Sequence, residues 1–475
     1  MEHKQVIGYQ LDIFVESQMN TISPSAPGEE VNGSGSVKDK QVDRAMVEGR
    51  ALAGTLMRAI CSHGNLLKAY RRVKKNKGVA GVDEMPVGKF SEWYAKEGVH
   101  LITQLLRGDY RPSAVKSVQI RKPGGGYRQL GIPTVTDRIL QQAISQVLTS
   151  IYEPQFSEQS YGFRPNRNTH QALRQAGSYV KEGRKVVVDM DIASFFDEVN
   201  HDRLMYRLSK DIGDKVLLQL IRKYLRSGIM LGGLTSQREK GTPQGSPLSP
   251  LLSNVVLDEL DKELERRGHS FVRYADDVSI YVHSQRAGDR VLASISTYLT
   301  RQLKLKVSEA KSKVCQSHRT TLLGYTVLIS GELSISSMAI DRLKLKVKRI
   351  TSRRRGVSLL QVVQELNPVL RGWYHYFKHA RCLRNLEELD GWIRRKLRCF
   401  RLKQCKRVIG VYRFLRKRGT GKVQSWLLAL SGKGWWCKSR SPQAHHAMGS
   451  DWFEELKLFN MHTHYKLFKQ LSETA

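Results

Sequence analysis

The chain has 475 residues and carries 79 Lys+Arg against 44 Asp+Glu, a formal charge of +35. That length allows two to four domains, and that much positive charge repels itself unless a polyanion is bound. Apolar residues make up 40% of the chain, as in a globular protein, and no run approaches the roughly 18 apolar residues of a membrane span.

Residues 1 to about 45 are polar and rich in Pro, Gly and Ser, which predicts a flexible tail. The first twenty lack the basic-then-apolar order of a signal peptide. "NLLKAYRRVKKNKG" predicts a helix over 65–78 with a glycine stop. "VQIRKPGGGYRQLGIP" reads as strand, glycine turn and strand over 118–133, and "TDRILQQAISQVLTSIY" as a helix. In "RKVVVDMDIASFF" alternation puts Val186, Val188, Met190 and Ile192 on one face and Val187, Asp189 and Asp191 on the other. Ser249 to Arg267 reads as an amphipathic helix. A hairpin carrying "YADD" at its tip follows, then a pair of short strands in "TLLGYTVLISGELSIS".

Near residue 335 the sequence changes from mixed α/β to basic and all-helical, with helices expected over roughly 340–355, 358–379, 385–408 and 422–430. Residues 341–440 hold 28 basic and 5 acidic residues and five of the seven tryptophans. Basic surface interleaved with aromatics suits a phosphate backbone with bases to stack, meaning structured RNA or single strands. Cysteines 61, 315, 382, 399, 405 and 437 contain no Cys-x-x-Cys pair. They fit neither a disulfide framework nor a zinc site, so reduced thiols in a cytoplasmic compartment are expected.

Asp276 and Asp277 are adjacent carboxylates, expected in the turn between Phe271–Tyr274 and Val278–Val282. Side by side they repel, and a divalent cation would relieve the repulsion. Asp191 ends another apolar strand, so carboxylates converging from two strands would make an all-oxygen site suited to Mg²⁺. Two such ions about 4 Å apart activate a hydroxyl and stabilise a leaving pyrophosphate. Asp189 and Asp197 are rivals to Asp191, and spacing alone does not separate 189 from 191. No G-x-x-x-x-G-K-[ST] occurs, which excludes a P-loop motor.

"DIASFFDEV", "TPQGSPLSPLLSN" and "YADD" resemble the palm motifs of reverse transcriptases. With "NLLKAYRRVKKNKGVAGVDEM", "KPGGGYRQLGIPTVTDRILQQAI", "QSYGFRPNRNTHQAL", "LNPVLRGWYHYFKHA" and "LDGWIRRKLRCFRLKQCKR", all in order, the chain resembles group II intron reverse transcriptase/maturases from about Asn65 onward. The resemblance implies an α+β right-hand polymerase with an antiparallel palm sheet, followed by an all-α thumb/maturase domain. It also implies these boundaries: fingers and palm over 46–335, thumb/maturase over 336–430, and a short segment over 431–475, a candidate remnant of a DNA-binding region with no endonuclease.

By motif, two Mg²⁺ ions would be held by Asp191, Ile192, Asp276 and Asp277, leaving Asp189 structural or solvent-facing. Lys122 and Arg128 would grip the incoming triphosphate from a glycine-rich turn. Phe196 would exclude a 2′-OH, with Phe195 packing in the core. Gln244 and Gly245 would lie along the nucleotide, where glycine permits close approach. Lys311 in "VSEAKS" would donate a proton to pyrophosphate. Arg371, Trp373, Arg394, Arg395, Lys396, Arg398 and Arg401 would bind RNA, with Trp392, Ile393, Leu397 and Phe400 inward and most arginines outward. The implied partners are intron RNA, an RNA template with a DNA primer, a DNA target and dNTPs, with no membrane, in a bacterial cytoplasm. A splicing maturase without polymerase activity and a reverse transcriptase domesticated for repair or phage defence are the alternative readings.

Overall fold

The computed structural model describes residues 54–121, 125–193, 195–231, 234–236, 241 and 245–473, so the expected tail over 1–45 lies outside the described residues. The chain divides into two compact units, one ending at Thr320 and the other spanning Thr321–Ala475.

The first unit opens with helices α1 (Thr55–Ile60), α2 (His63–Lys75) and α3 (Phe90–Arg107). Helix α2 begins where the Ser62 hydroxyl accepts the Asn65 N–H, and its last turn carries Arg72, Lys74 and Lys75, favourable at the negative end of the dipole. Gly78 is not the expected stop. Lys77 takes the left-handed turn (φ +48°), and Gly78 instead makes room for the Arg138 guanidinium, which would lie 2.4 Å from a Cβ there.

Strands β1 (Val115–Arg121) and β2 (Tyr127–Ile132) form the predicted antiparallel hairpin. Helix α4 (Val135–Tyr152) starts at Thr134, whose hydroxyl accepts the Asp137 N–H. The Asp137 carboxylate, almost fully buried, accepts from Thr134, Tyr110 and the Ser113 N–H, which ties the helix start to the chain before the hairpin. Helix α5 (Thr169–Lys181) carries a capping box between Asn168 and Gln171 and leads into β3 (Val186–Asp191).

The short α6 (Phe195–Glu198), α7 (His201–Asp211) and α8 (Lys215–Arg226) come next. Strands β4 (Ile229–Leu231) and β5 (Leu234–Ser236) then extend the first hairpin into a sheet of order β2-β1-β4-β5, in which β4 lies parallel to β1. Helix α9 (Ser249–Arg266) has proline in its first turn, where a missing N–H costs nothing, and is buried along most of its length.

Strands β6 (Ser270–Tyr274) and β7 (Asp277–Val282), helix α10 (Gln285–Tyr298) and strand β8 (Lys313–Gln316) complete the unit. The second sheet has the order β6-β7-β3-β8 and is antiparallel throughout. Val186, Val188, Met190 and Ile192 are all buried, as alternation predicts for one face. Val187 on the opposite face is buried too, so both faces of the inner strand β3 are covered there.

In the second unit, β9 (Tyr325–Val327) and β10 (Leu333–Ile335) pair as a hairpin. It is followed by α11 (Ser337–Ile350), α12 (Leu359–Phe377), α13 (Leu383–Gln404), α14 (Val408–Lys417), α15 (Lys422–Leu430), α16 (Trp435–Lys438), α17 (Pro442–Ala447), α18 (Ser450–Glu455) and α19 (Met461–Glu473). The boundary falls earlier than the expected 335 because the hairpin packs with the helices. Tyr325 bonds the Tyr376 carbonyl, and the Tyr376 hydroxyl donates to Leu323 at 2.8 Å. The helix expected over 385–408 ends at Gln404, and a further helix that was not expected, α14, starts at Val408; Lys406 between them adopts φ +59° without any glycine or proline signal. Residues 431–473 are tied to the helices before them: Tyr465 donates to the Ala380 carbonyl and His462 N–H to Asp390, both at 2.8 Å.

Candidate active site

The site is built at the end of β3. Asp191 lies directly across from Asp277 in the β3–β7 ladder, and Asp277 also faces Tyr274 across the hairpin. Asp277 is therefore the first residue of a strand, not part of the expected turn, and only Asp276 sits in the tip. Ser308 N–H donates to the Asp191 carbonyl at 2.8 Å, and the Asp191 N–H donates to the Ser312 hydroxyl at 3.1 Å. The backbone at Asp191 is thus held from both sides.

Lys311 Nζ lies 3.1 Å from both carboxylate oxygens of Asp191. Asp189, which shares a face with Asp191, is engaged elsewhere: the Thr320 hydroxyl donates to it at 2.6 Å. Burial raises the Asp189 carboxyl above its ordinary value, against the lowering effect of that hydrogen bond. For Asp277, loss of hydration and then the charges of Asp276, Asp189 and Asp191 push the carboxyl up to about 7, with Lys311 opposing. The residue is open to solvent at the end of an inner strand, so like-charge repulsion is the firmer of those causes.

The turn is braced from beneath. Ala275 occupies the left-handed region at φ +59°, costly for a residue with a Cβ. Arg273 holds it there: its Nη1 donates to the Ala275 carbonyl at 3.0 Å and to Asn254 at 2.9 Å. The remaining guanidinium edge forms a bidentate pair with Asp261 at 2.6 and 2.7 Å, and both side chains are fully buried. Gly162 presses on the same turn, since a Cβ there would lie 2.3 Å from the Ala275 nitrogen. Asn254 also donates to the Gly162 carbonyl at 2.9 Å, so helix α9 reaches both sides of the brace. Sequence reasoning passed over Arg273, Asp261, Asn254 and Gly162. The available signal was an arginine inside an apolar strand, which demands a buried carboxylate.

Phe195 is 2% exposed and Phe196 half-buried, their rings edge-on with centroids 5.5 Å apart. Gly245 is exposed at φ +109°, and a Cβ there would stand 2.7 Å from the Gly131 carbonyl on β2. This loop therefore approaches the first hairpin closely, and glycine is required. Arg128 pairs through its backbone with Ile120. Lys122, Gln244 and the Arg128 side chain lie outside the described residues.

Asp191, Asp276 and Asp277 offer carboxylate oxygens only, a donor set matched to a hard divalent ion such as Mg²⁺. Ile192 is 3% exposed and apolar, so any contribution from it would come through its carbonyl oxygen. Among the described residues, no group of three or more His, Cys, Asp or Glu side chains already stands in a metal-holding arrangement. The donor chemistry fits, while Lys311 supplies the positive charge beside Asp191.

In the helical unit, Ile393, Leu397 and Phe400 are buried as expected, but Trp392 is only half-buried. Arg398, expected outward, is 6% exposed and donates to the Met448 carbonyl at 3.3 Å, because residues 431–475 fold over this face of α13. Arg395 lies 3.9 Å from the Trp436 ring centroid, Lys396 4.8 Å from the same ring, and Arg401 4.5 Å from Phe414. Arg394 is half-buried. Arg371 is exposed beside Phe459, and Trp373 packs on Phe377 with ring centroids 4.7 Å apart.

An antiparallel sheet that gathers aspartates at the meeting of β3 with the β6–β7 turn, under a strand-and-loop layer approaching from β2, defines the palm and fingers of a right-hand polymerase. Residues 120–327 match the family described as reverse transcriptase (RNA-dependent DNA polymerase), and residues 340–419 the maturase-specific domain of group II introns. The chain thus joins a reverse transcriptase domain to a group II intron maturase-specific domain.

It is 35% identical over 218 residues to protein YkfC of Escherichia coli, covering 45% of this chain and 57% of that one. It is 39% identical over 197 residues to the group II intron-encoded protein LtrA of Lactococcus lactis, covering 41% of this chain and 32% of that one. The matches thus span little more than half of the first relative and a third of the second. A chain of a partial Cas6-RT-Cas1–Cas2 complex aligns at a TM-score of 0.34 with 25% identity, over 52% of this chain and 43% of that one. Among the described residues no helix is long and apolar enough to cross a membrane.

Proposed function

We propose that the protein is an RNA-directed DNA polymerase that binds group II intron RNA, assists its splicing and copies it into DNA for insertion at a DNA target. The observation that carries this reading is the cross-strand pairing of Asp191 with Asp277, with Asp276 in the adjoining braced turn. Two Mg²⁺ ions held by Asp191, Asp276, Asp277 and the Ile192 carbonyl would supply activation of the primer 3′-OH and charge neutralisation on pyrophosphate.

The chain's own groups do the rest. Lys122 and Arg128 orient the triphosphate by charge and hydrogen bonding. Phe196 forms the floor under the sugar, and Gln244 and Gly245 line the side of the pocket. Lys311, an ammonium at the rim of the carboxylate cluster, gives its proton to the departing pyrophosphate. Arg371, Trp373, Arg394, Arg395, Lys396 and Arg401 form the cationic and aromatic surface for intron RNA, with Arg398 beneath them.

The test is extension of oligo(dT) on poly(rA) by wild type and Asp276→Ala. Mg²⁺-dependent synthesis is expected from the first and none from the second, with RNA binding retained in both. Equal synthesis by the two proteins overturns the assignment.

A further inference from the structure

Beside helix α13 lies a cavity of about 360 Å³ lined by Arg394, Arg395, Arg398, Arg440, His445 and Ser450, and no carboxylate lines it. Three of those arginines come from α13, while Arg440, His445 and Ser450 come from residues 431–475 folded against it. Asp390, one residue before the cavity wall at Gly391, is occupied by the His462 N–H at 2.8 Å.

The cavity is built rather than incidental. Arg398 is 6% exposed, and its Nε is buried with no hydrogen-bond partner among the described residues. The Nε of Arg395 is likewise buried and unpartnered, although stacking on Trp436 and a 3.1 Å bond to the Trp436 carbonyl fix that guanidinium. Burial, together with the charges of Arg394 and Arg395, pulls the Arg398 guanidinium down to about 10. Guanidiniums gathered in a concave site, two of them with a buried Nε that has no hydrogen-bond partner among the described residues, are a demand for an anion, and their planar forks match phosphate oxygens. Metal or cationic ligands are excluded by the same charges.

We propose that this cavity grips one phosphate group of the bound RNA, apart from the open basic faces that bind the backbone diffusely. The proposal deepens the RNA-binding half of the function above and rests on it for the source of the phosphate. It predicts a site that inorganic phosphate alone can enter.

The test uses the full chain and the exposed rim variant Arg440→Gln, with His445→Gln as a second. Arg384→Gln is the matched loss of charge elsewhere, since Arg384 is exposed and pairs with Glu388 on the outside of α13. At matched ionic strength, phosphate is expected to raise the melting temperature of wild type and Arg384→Gln above that in chloride by a few degrees, and to do so less in the rim variants. On an RNA hairpin, Arg440→Gln is expected to reduce the slope of log affinity against log salt by about 0.7 to 0.9, one phosphate contact, beyond any change in Arg384→Gln. No phosphate-specific stabilisation of wild type, or equal slopes in Arg440→Gln and Arg384→Gln, overturns the proposal. Neither readout measures DNA synthesis, so the polymerase reading and this one fail separately.

Discussion

Arg273 and Asp261 form a bidentate ion pair with no solvent exposure on either side, and that pair holds the turn bearing Asp276. The strand contributes the arginine and helix α9 the carboxylate, so the aspartate-bearing turn is anchored to the unit's interior rather than to its surface. Burial raises the Asp261 carboxyl, while the Arg273 charge and hydrogen bonds oppose the rise. The pair persists because every polar edge of the guanidinium is used.

Breaking it should cost both stability and activity. Asp261→Ala leaves a buried, unpaired guanidinium and is expected to destabilise the protein by about 3–5 kcal/mol in urea unfolding. Arg273→Lys cannot make the fork and should lower extension more than it lowers the melting temperature, since the Ala275 carbonyl loses its donor. If Arg273→Lys supports wild-type extension rates, the bracing role is wrong.

Gly162→Ala probes the same turn by steric means. A Cβ 2.3 Å from a backbone nitrogen has no flexible neighbour to displace, so the strand or the turn must shift. The expected loss is about 1–3 kcal/mol with a concurrent fall in extension. A stable, fully active variant would show that the turn tolerates movement.

Phe196→Val tests the sugar pocket. Shortening a half-buried ring whose neighbour Phe195 keeps the core intact should leave the melting temperature within a few degrees. Incorporation of rNTP relative to dNTP should rise on the order of tenfold or more, because the space the ring filled becomes available to a 2′-OH. Unchanged discrimination in single-nucleotide extension would remove Phe196 from that role.

Asp390 should make the protein's stability depend on pH. Burial raises its carboxyl to about 6 from 3.8, against the lowering effects of the His462 N–H and the Arg394 charge. Between those values the folded protein binds the proton more tightly than the unfolded chain. Its contribution is therefore favourable at the acid end, declines as pH rises through the window, and is flat above about 6, a change of about 3 kcal/mol at most. Wild type compared with Asp390→Asn by urea unfolding at pH 4.5 and pH 7 isolates the effect. Wild type should lose ground to the variant at the higher pH, and a constant difference between them would refute it.

Much of this was legible in the residue order. The alternation in Val186–Ile192 marked a strand ending in a carboxylate, and the glycine turn over 118–133 marked the hairpin that β1 and β2 form. Helix starts at Ser62, Thr134 and Asn168 follow from side chains that satisfy the first free N–H groups. What stayed hidden was of another kind. The break at Lys406 uses a left-handed lysine, and nothing in its neighbours announces it. Arg398 looked like its exposed neighbours until residues 431–475 closed over it.

The sequence by itself determined the apolar faces, the two-part organisation and the basic character of the second half, because near-neighbour periodicity and charge encode all of these. Only the tertiary structure decided that Asp277, not Asp276, stands opposite Asp191, that Arg273 points inward to Asp261, and that Arg440 joins Arg394 around one cavity. Strand register and the burial of a charged group depend on partners far away in the chain, and a local pattern carries no record of which partner will arrive.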